Sequence, residues 1–276
     1  MPAPGSRTNA AGQRATLLES EHRAGVLILT LAQPETRNSL SQAMIEAMQG
    51  AIDTASQDAA VRAIVVTAKG TAFCAGHDLK ELTAHRADTD GGRAFTQLLM
   101  QQCAKLMRSI VQCPKPVIAA VESTATAAGC QLVATCDLAV ASETATFATP
   151  GVNIGLFCST PMVALSRNVS RKRAMEMLLL GEMLAAQEAA EYGLVNRVVP
   201  AGKALDEALK LAGVIASKPP ATLAIGKEAF YRQIEMSLAD AYDYAAGVMV
   251  ENMMHAESKE GIGAFIDKRT PDWSKA

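Results

Sequence analysis

The sequence lacks the marks of several protein classes. No apolar run approaches the roughly 18 to 20 residues that a transmembrane helix requires. The 26 basic and 28 acidic residues leave a formal net charge of −2, with no basic run, so the charge does not favour nucleic acid or an anionic membrane as a partner. None of the six cysteines forms a CxxC pair, and a chain of this length does not need disulfides to be stable. We therefore expect reduced thiols in a reducing compartment.

The N-terminal segment lacks acidic groups. It carries Arg7 and Arg14, which gives it a faint similarity to a transit peptide. Pro2 and Pro4 argue against a helix there, and the segment has no clear amphipathic pattern. We interpret residues 1–17 as a disordered tail and expect a cytoplasmic protein.

The rest of the chain alternates short apolar segments with amphipathic ones. Strands are predicted at 25–31, 63–67, 116–121, 137–141 and 195–199, and helices at 41–58, 94–110, 172–180 and 185–192. From 204 to 265 the pattern is helical, with an interruption at Pro219-Pro220. Such alternation is typical of an α/β fold. We predict a core over 18–203 and a helical region over 204–276 that packs on the core or on a neighbouring subunit.

Two loops of small residues follow predicted strands. One lies within Phe73–Lys80, and the other spans Thr126–Gly129 just before a helix. Small residues let backbone N–H groups approach a ligand closely, and a helix N-terminus favours negative charge. Two such loops can together form an oxyanion hole, a pair of N–H donors that stabilises a developing anion.

Five segments in order resemble the crotonase (enoyl-CoA hydratase/isomerase) superfamily. They are PETRNSLS (34–41), AFCAGHDLKEL (72–82), KPVIAAV with AAGCQLVATCDLAVA (within 115–141), AAQEAAEYGLVNRVV (185–199) and EGIGAFIDKR (260–269). The resemblance extends from about Leu18 to Trp273. Phe157–Pro161 and the segment ATAAGCQL are closest to one branch of that superfamily.

The resemblance implies a spiral of ββα units, as in ClpP-like folds, with a C-terminal helical region that forms trimers. A homotrimer or hexamer is therefore expected. It also implies an acyl-CoA thioester as the ligand, with no metal and no separate cofactor, because CoA enters as part of the substrate. By the same resemblance, the oxyanion donors are the backbone N–H groups of His77 and Ala128, and Lys80, Phe265 and Lys268 contact the CoA moiety.

The chain departs from the superfamily where hydratases carry two glutamates. These positions hold Gln131, which cannot accept a proton from water, and Gly151, which has no side chain. A third position, a carboxylate in some isomerases and a dehalogenase, is Ser159. Loss of a general acid or base typically costs about 10²- to 10⁴-fold in rate. Standard hydration is therefore not expected.

Three functions stay open. The first is an enzyme that works mainly by enolate stabilisation, for example in hydrolysis or decarboxylation. The second is an active hydratase with unusual groups, such as a water held by Gln131 and Ser159. The third is a noncatalytic protein that binds acyl-CoA or a partner. We favour an enzyme.

Two titratable residues near the loops have simpler interpretations than catalysis. For His77 we favour a backbone role, with the imidazole pointing to solvent or capping the loop. Glu122 is the only carboxylate inside the small-residue segment, and we expect it to support the loop structurally.

Other polar residues near the predicted site are less decisive. Cys130 and Cys158 lack a neighbouring histidine in sequence, so core packing is the better interpretation. Thr149, Asn153 and Ser159 could form a polar patch for a water or an acyl substituent, or simply cap loops.

Overall fold

The computed structural model describes residues 16–273 as an α/β fold with two β-sheets. The strands are β1 Leu18–Arg23, β2 Val26–Leu31, β3 Ala63–Ala68, β4 Ala72–Cys74, β5 Val117–Val121, β6 Thr124–Thr126, β7 Leu138–Ser142, β8 Thr146–Ala148, β9 Leu184–Ala185 and β10 Arg197–Val199. The larger sheet has the order β1-β2-β3-β5-β7-β10, and only β1 is antiparallel to its neighbour. The smaller sheet has the order β4-β6-β8-β9, with β9 antiparallel.

Eleven α-helices surround these sheets in the described part of the chain. They are α1 Gln42–Gln57, α2 Leu79–Ala84, α3 Arg93–Gln112, α4 Ala128–Thr135, α5 Pro161–Asn168, α6 Arg171–Leu180, α7 Ala186–Glu191, α8 Ala204–Ala216, α9 Pro220–Gln233, α10 Leu238–Met254 and α11 Ala256–Ile266. The predicted α/β class is confirmed, and the break at Pro219-Pro220 is the start of α9.

From β3 to β8, successive strands alternate between the two sheets. β3, β5 and β7 join the larger sheet, while β4, β6 and β8, which follow them directly, join the smaller one. Helices α2 and α3 follow the first pair, and α4 follows the second. This is the ββα repeat that the resemblance implies. It brings the chain segments that leave β4, β6 and β8 to one edge of the smaller sheet.

The central strands are buried on both faces. Every residue of β5 is buried, as are Ala63–Thr67 of β3, which explains why they are apolar without alternation. Helix α8 covers one face with Ala204, Ala208 and Ala212, which share a side at i, i+4 and i+8 spacing. The first helix beyond the predicted boundary at 203 thus packs on the core, and the boundary itself stays a prediction.

A buried ion pair fastens α9 to the core. The Lys227 ammonium donates to Asp137 Oδ2 at 2.6 Å and to the carbonyls of Ile110 and Lys115 at 3.0 and 3.1 Å. The Tyr231 hydroxyl donates to the other oxygen of Asp137 at 2.9 Å. Each Lys227 proton has an acceptor, so the charge is buried with its hydrogen bonds made.

The predicted tail falls mostly on residues 1–15, which lie outside the described residues, and Leu17 already accepts a hydrogen bond from the N–H of Ala32. Between residues 16 and 273, none of the helices has the length and apolar character needed to cross a bilayer.

Candidate functional site

The two predicted oxyanion loops pack directly against each other. A Cβ on Gly76 would lie 2.9 Å from the Cβ of Ala127 and 3.3 Å from the amide nitrogen of Ala128. A side chain on Gly129 would collide with the carbonyl of Cys74. The Thr126 hydroxyl donates to the Ala75 carbonyl at 3.1 Å. Only glycine permits this approach, and Gly76 also has a positive φ of 95°.

Helix α4 begins with a strained residue. Ala127 has φ 50° and ψ −118°, a conformation that is unfavourable for any residue with a Cβ. Its N–H donates to the carbonyl of Ala148 at 2.9 Å, and its carbonyl accepts from the N–H of Gln131 at 3.0 Å. Such strain costs roughly 1–3 kcal/mol and persists where the surrounding structure imposes it.

Both predicted donor groups are unengaged within residues 16–273. Neither the N–H of His77 nor that of Ala128 takes part in a hydrogen bond inside this part of the chain. For Ala128 the reason is its place at the first position of α4, where an N–H has no acceptor one turn earlier. A pair of such groups on adjacent loops can donate to one ligand oxygen.

The PETRNSLS segment holds the first loop in place. Buried Asn38 accepts from the N–H of Gln33 and donates to the carbonyls of Lys69 and Ala72, all at 2.8 Å. Leu40 pairs with the loop in parallel, since its N–H donates to the Gly76 carbonyl at 2.7 Å. These hydrogen bonds give this motif a structural role.

The His77 ring turns inward rather than toward solvent. Its Nδ1 lies 3.3 Å from the carbonyl of Leu40, which makes Nδ1 the protonated nitrogen. Its Nε2 is buried and has no partner among the described residues. Burial lowers the pKa of the imidazole below its ordinary value, partly offset by the contact with Leu40. The ring is therefore neutral and supports the loop.

Gln131 and Thr149 are buried with unpaired polar atoms. They are 4% and 0% exposed, and neither Oε1 of Gln131 nor Oγ1 of Thr149 has a hydrogen-bond partner within residues 16–273. Both residues lie close to the hydrogen bond between Ala127 and Ala148. The backbone N–H of Gln131 donates to the Ala127 carbonyl and closes the first turn of α4, and Thr149 follows Ala148. The sequence gives no signal for this burial, and Thr149 is predicted only as part of a polar patch.

The space beside Gly151 is filled by backbone. A Cβ at this position would lie 2.6 Å from the carbonyl oxygen of Leu156 and 2.9 Å from the sulfur of Cys158. The N–H of Leu156 donates back to the Gly151 carbonyl at 2.9 Å. At position 151 the chain has therefore lost both the glutamate side chain of the hydratases and the space for one, because the following loop closes over the position.

The other residues of the predicted polar patch face outward. Ser159 is exposed and its hydroxyl donates to the Phe157 carbonyl at 3.3 Å. Asn153 is also exposed and donates to the Gly181 carbonyl at 3.3 Å. Of the three patch residues, only Thr149 is buried beside the loops.

The surroundings of the cysteines and of Glu122 indicate structural roles for these side chains. All six cysteines are buried and free, and burial raises the pKa of Cys130 to about 12. Cys158 likewise has a raised pKa because of burial. The Glu122 carboxylate accepts from the N–H groups of Gly202 at 2.9 Å and Ala204 at 2.5 Å, at the start of α8. Packing and helix capping therefore account for these side chains.

The residues predicted to contact CoA lie at the surface. Lys80 is exposed on α2, whose N-cap Asp78 accepts from the N–H groups of Lys80 and Glu81 at 2.9 and 3.2 Å. Phe265 is 85% exposed at the end of α11, and Lys268 is exposed just beyond it. Helix α11 packs on α9 and α10 of the same chain. A contact between α11 and the CoA bound by a neighbouring subunit stays a prediction.

Comparison with known proteins identifies the relatives of this chain. Residues 21–276 match the enoyl-CoA hydratase/isomerase family. Enoyl-CoA hydratase domain-containing protein 3, mitochondrial, is 44% identical in Rattus norvegicus (99% of this chain, 89% of the relative) and 46% identical in Homo sapiens (91% and 81%).

Solved structures agree with these relatives. An enoyl-CoA hydratase from Mycobacterium smegmatis has a TM-score of 0.89 and 49% identity, covering 94% of this chain and 99% of that one. The human enoyl-CoA hydratase domain-containing protein 3 has a TM-score of 0.89 and 44% identity, covering 94% and 100%. The predicted crotonase fold is confirmed.

The same relatives correct the expected location. The names of the rat, frog and human proteins place them in mitochondria, which contradicts a cytoplasmic assignment. Pro2, Pro4 and the lack of an amphipathic pattern, on which the cytoplasmic expectation rested, do not determine where a protein resides.

Motif order, topology and overall identity therefore agree. The chain belongs to the enoyl-CoA hydratase/isomerase (crotonase) family, in the branch of enoyl-CoA hydratase domain-containing protein 3.

Proposed function

We propose that this protein binds an acyl-CoA thioester and polarises its carbonyl with the N–H groups of His77 and Ala128. The observation that carries the proposal is that both groups are unengaged, within residues 16–273, on loops packed together through Gly76. Fixed N–H donors of this kind stabilise the enolate-like anion that forms when the α-carbon of a thioester loses a proton or carbon dioxide and its electron pair moves onto the carbonyl oxygen.

The chemistry runs on enolate stabilisation rather than on standard hydration. Gln131 cannot act as a base, and Gly151 has neither a side chain nor room for one, because the Leu156 carbonyl lies there. Each missing acid or base lowers the rate of hydration by about 10²- to 10⁴-fold.

The CoA moiety and a neighbouring subunit complete the proposed site. In the proposed site, Lys80 contacts CoA from its own subunit and Phe265 and Lys268 contact it from the adjacent one, as the family resemblance implies. Helices α9–α11 leave large apolar side chains uncovered, including Phe230, Leu238, Tyr242, Met249, Val250, Met254, Phe265 and Ile266. Exposed apolar surface of this extent is typical of subunit interfaces and supports a homotrimer or hexamer.

Binding is tested with butyryl-CoA and two matched glycine variants. Gly76→Ala forces a Cβ against Ala127 and should weaken binding at least about tenfold, since the N–H donors move apart. Gly91→Ala is the control, because Gly91 also has positive φ (68°) but its Cβ meets nothing within 4 Å. Calorimetry on the folded variants gives the affinities, and equal affinities for all three proteins would refute the oxyanion assignment.

Catalysis is tested with crotonyl-CoA, followed as loss of the enoyl-thioester absorbance. We expect the wild type to fall far below the usual enzymatic range of about 1 to 10³ per second. Gln131→Glu should raise the rate, since it restores one carboxylate without crowding the Gly151 position. Wild-type turnover within that range would show that another group activates water.

A further inference from the structure

Beside the proposed thioester site, Gln131 and Thr149 resemble His77 in having a buried polar atom without a partner among residues 16–273. Oε1 of Gln131 and Oγ1 of Thr149 are each enclosed by protein, yet nothing among residues 16–273 hydrogen-bonds to them. Buried polar groups are nearly always paired, because an unpaired one loses its water without compensation. Two such atoms on chain segments that meet at one end of the smaller sheet indicate a group that arrives from outside.

The backbone places the two residues at one end of the smaller sheet. β6 pairs with β8 in parallel with Thr126 opposite Ala148, and the N–H of Ala127 donates to the Ala148 carbonyl. Thr149 continues from one side of this hydrogen bond. On the other side of this hydrogen bond, Gln131 lies one turn into α4. The first residue of that helix is Ala128, whose N–H is a proposed donor.

The chemistry of the two atoms defines what fits between them. The amide oxygen of Gln131 needs a donor, whereas the Thr149 hydroxyl can both donate and accept. A hydroxyl group satisfies both atoms, since it donates to Gln131 and accepts from Thr149. A carboxylate has no proton for the amide oxygen, and a methylene leaves both atoms unpaired.

We propose that Thr149 and Gln131 together bind one hydroxyl group beside the thioester carbonyl, supplied either by the acyl chain or by a water molecule. This inference rests on the proposed function, because it needs the acyl group to lie at the N-terminus of α4. It adds Thr149 as a residue that determines specificity.

Because both atoms are enclosed, the proposal also requires part of the surrounding structure to move, and segment 150–158, which follows Thr149 directly, is the part we infer to open. Its residues Leu156 and Phe157 are 56% and 43% exposed although apolar, and the hydrogen bond from Leu156 N–H to the Gly151 carbonyl stays within the segment. A ligand that pairs with the two buried atoms gains contacts only when the segment opens, so it shifts the population toward the open form.

Two CoA esters that differ by one hydroxyl test the proposal, with 3-hydroxybutyryl-CoA and butyryl-CoA titrated calorimetrically into the full chain. If the acyl chain supplies the hydroxyl, the wild type binds the hydroxy ester about three- to tenfold more tightly, as expected for one net neutral hydrogen bond. Thr149→Val and Gln131→Leu abolish that preference, while Thr149→Ser keeps it. If a water supplies the hydroxyl, the wild type binds both esters equally, and Thr149→Val weakens both by a similar factor.

Thr67→Val is the matched control for a buried threonine. Thr67 lies in the larger sheet, and its hydroxyl already donates to the Ala120 carbonyl at 3.2 Å. The control variant should lose thermal stability and keep the wild-type affinities, whereas Thr149→Val should keep or gain stability. Unchanged affinities for both esters in Thr149→Val would overturn the inference and leave the proposed function standing. Failure of the wild type to bind either ester would refute the proposed function, and this inference with it.

Discussion

At this site, the role that a residue can take depends on the atoms around it as well as on its type. Gly151 illustrates this, because the Leu156 carbonyl occupies the space that a Cβ at this position would need. The sequence reveals that no carboxylate stands at 131 or 151. It cannot reveal that residue 151 is closed to any side chain, since that depends on the path of the loop five residues later.

Gly151→Ala is predicted to destabilise the protein by about 1–3 kcal/mol, the usual range for overpacking. The control is Gly50→Ala, because Gly50 is exposed within α1 and its Cβ would meet nothing within 4 Å. The control should stabilise by about 0.5–1 kcal/mol, as alanine restricts the unfolded chain. Urea unfolding measures both, and a Gly151→Ala variant as stable as wild type would show that the loop yields freely.

His77 predicts a pH dependence of stability. Its pKa is lowered by burial, so between the lowered value and the ordinary value of about 6.5 the unfolded chain binds more protons than the folded one. The free energy of unfolding therefore falls as the pH falls through this window. Between about pH 7.5 and 5.5 the wild type should lose more stability than His77→Gln, and parallel pH profiles would contradict the burial of a neutral ring.

At the scale of secondary-structure elements, the length of a strand or helix decides whether the sequence pattern can predict it. β2, β3, β5 and α1 carry enough apolar positions to show their period, and the structure has them within one or two residues of the prediction. The strands of the smaller sheet have two or three residues each, too few for any period. The sheet that carries the proposed site is therefore visible only through the family resemblance.

Helix α9 is held by its buried ion pair. Lys227→Met leaves Asp137 buried without its main partner and should cost about 3–5 kcal/mol. Lys203→Met is the control, because the pair of Lys203 and Asp206 lies in solvent, and it should change stability very little. Chemical denaturation compares the two variants, and a small, equal loss for both would show that α9 is fastened by apolar packing alone.

At the scale of the whole molecule, the apolar surface of α9–α11 predicts assembly. Sedimentation equilibrium should give three or six times the mass of the chain. Val250→Glu, on the exposed face of α10, should lower that mass by placing charges in the contact. Leu98→Glu introduces the same charge at an exposed residue of α3 and should leave the mass unchanged. A monomeric wild type would refute the assembly.

The hydrogen bond from Ala127 to Ala148 also bears on how the protein is made. Both proposed donor residues have been translated once residue 128 has been added. The strand that fixes Ala127 in its strained conformation is synthesised about twenty residues later. A nascent chain stalled before β8 thus carries the complete donor sequence without the site, and a ligand of the proposed site can stabilise the folded protein only after β8 has left the ribosome.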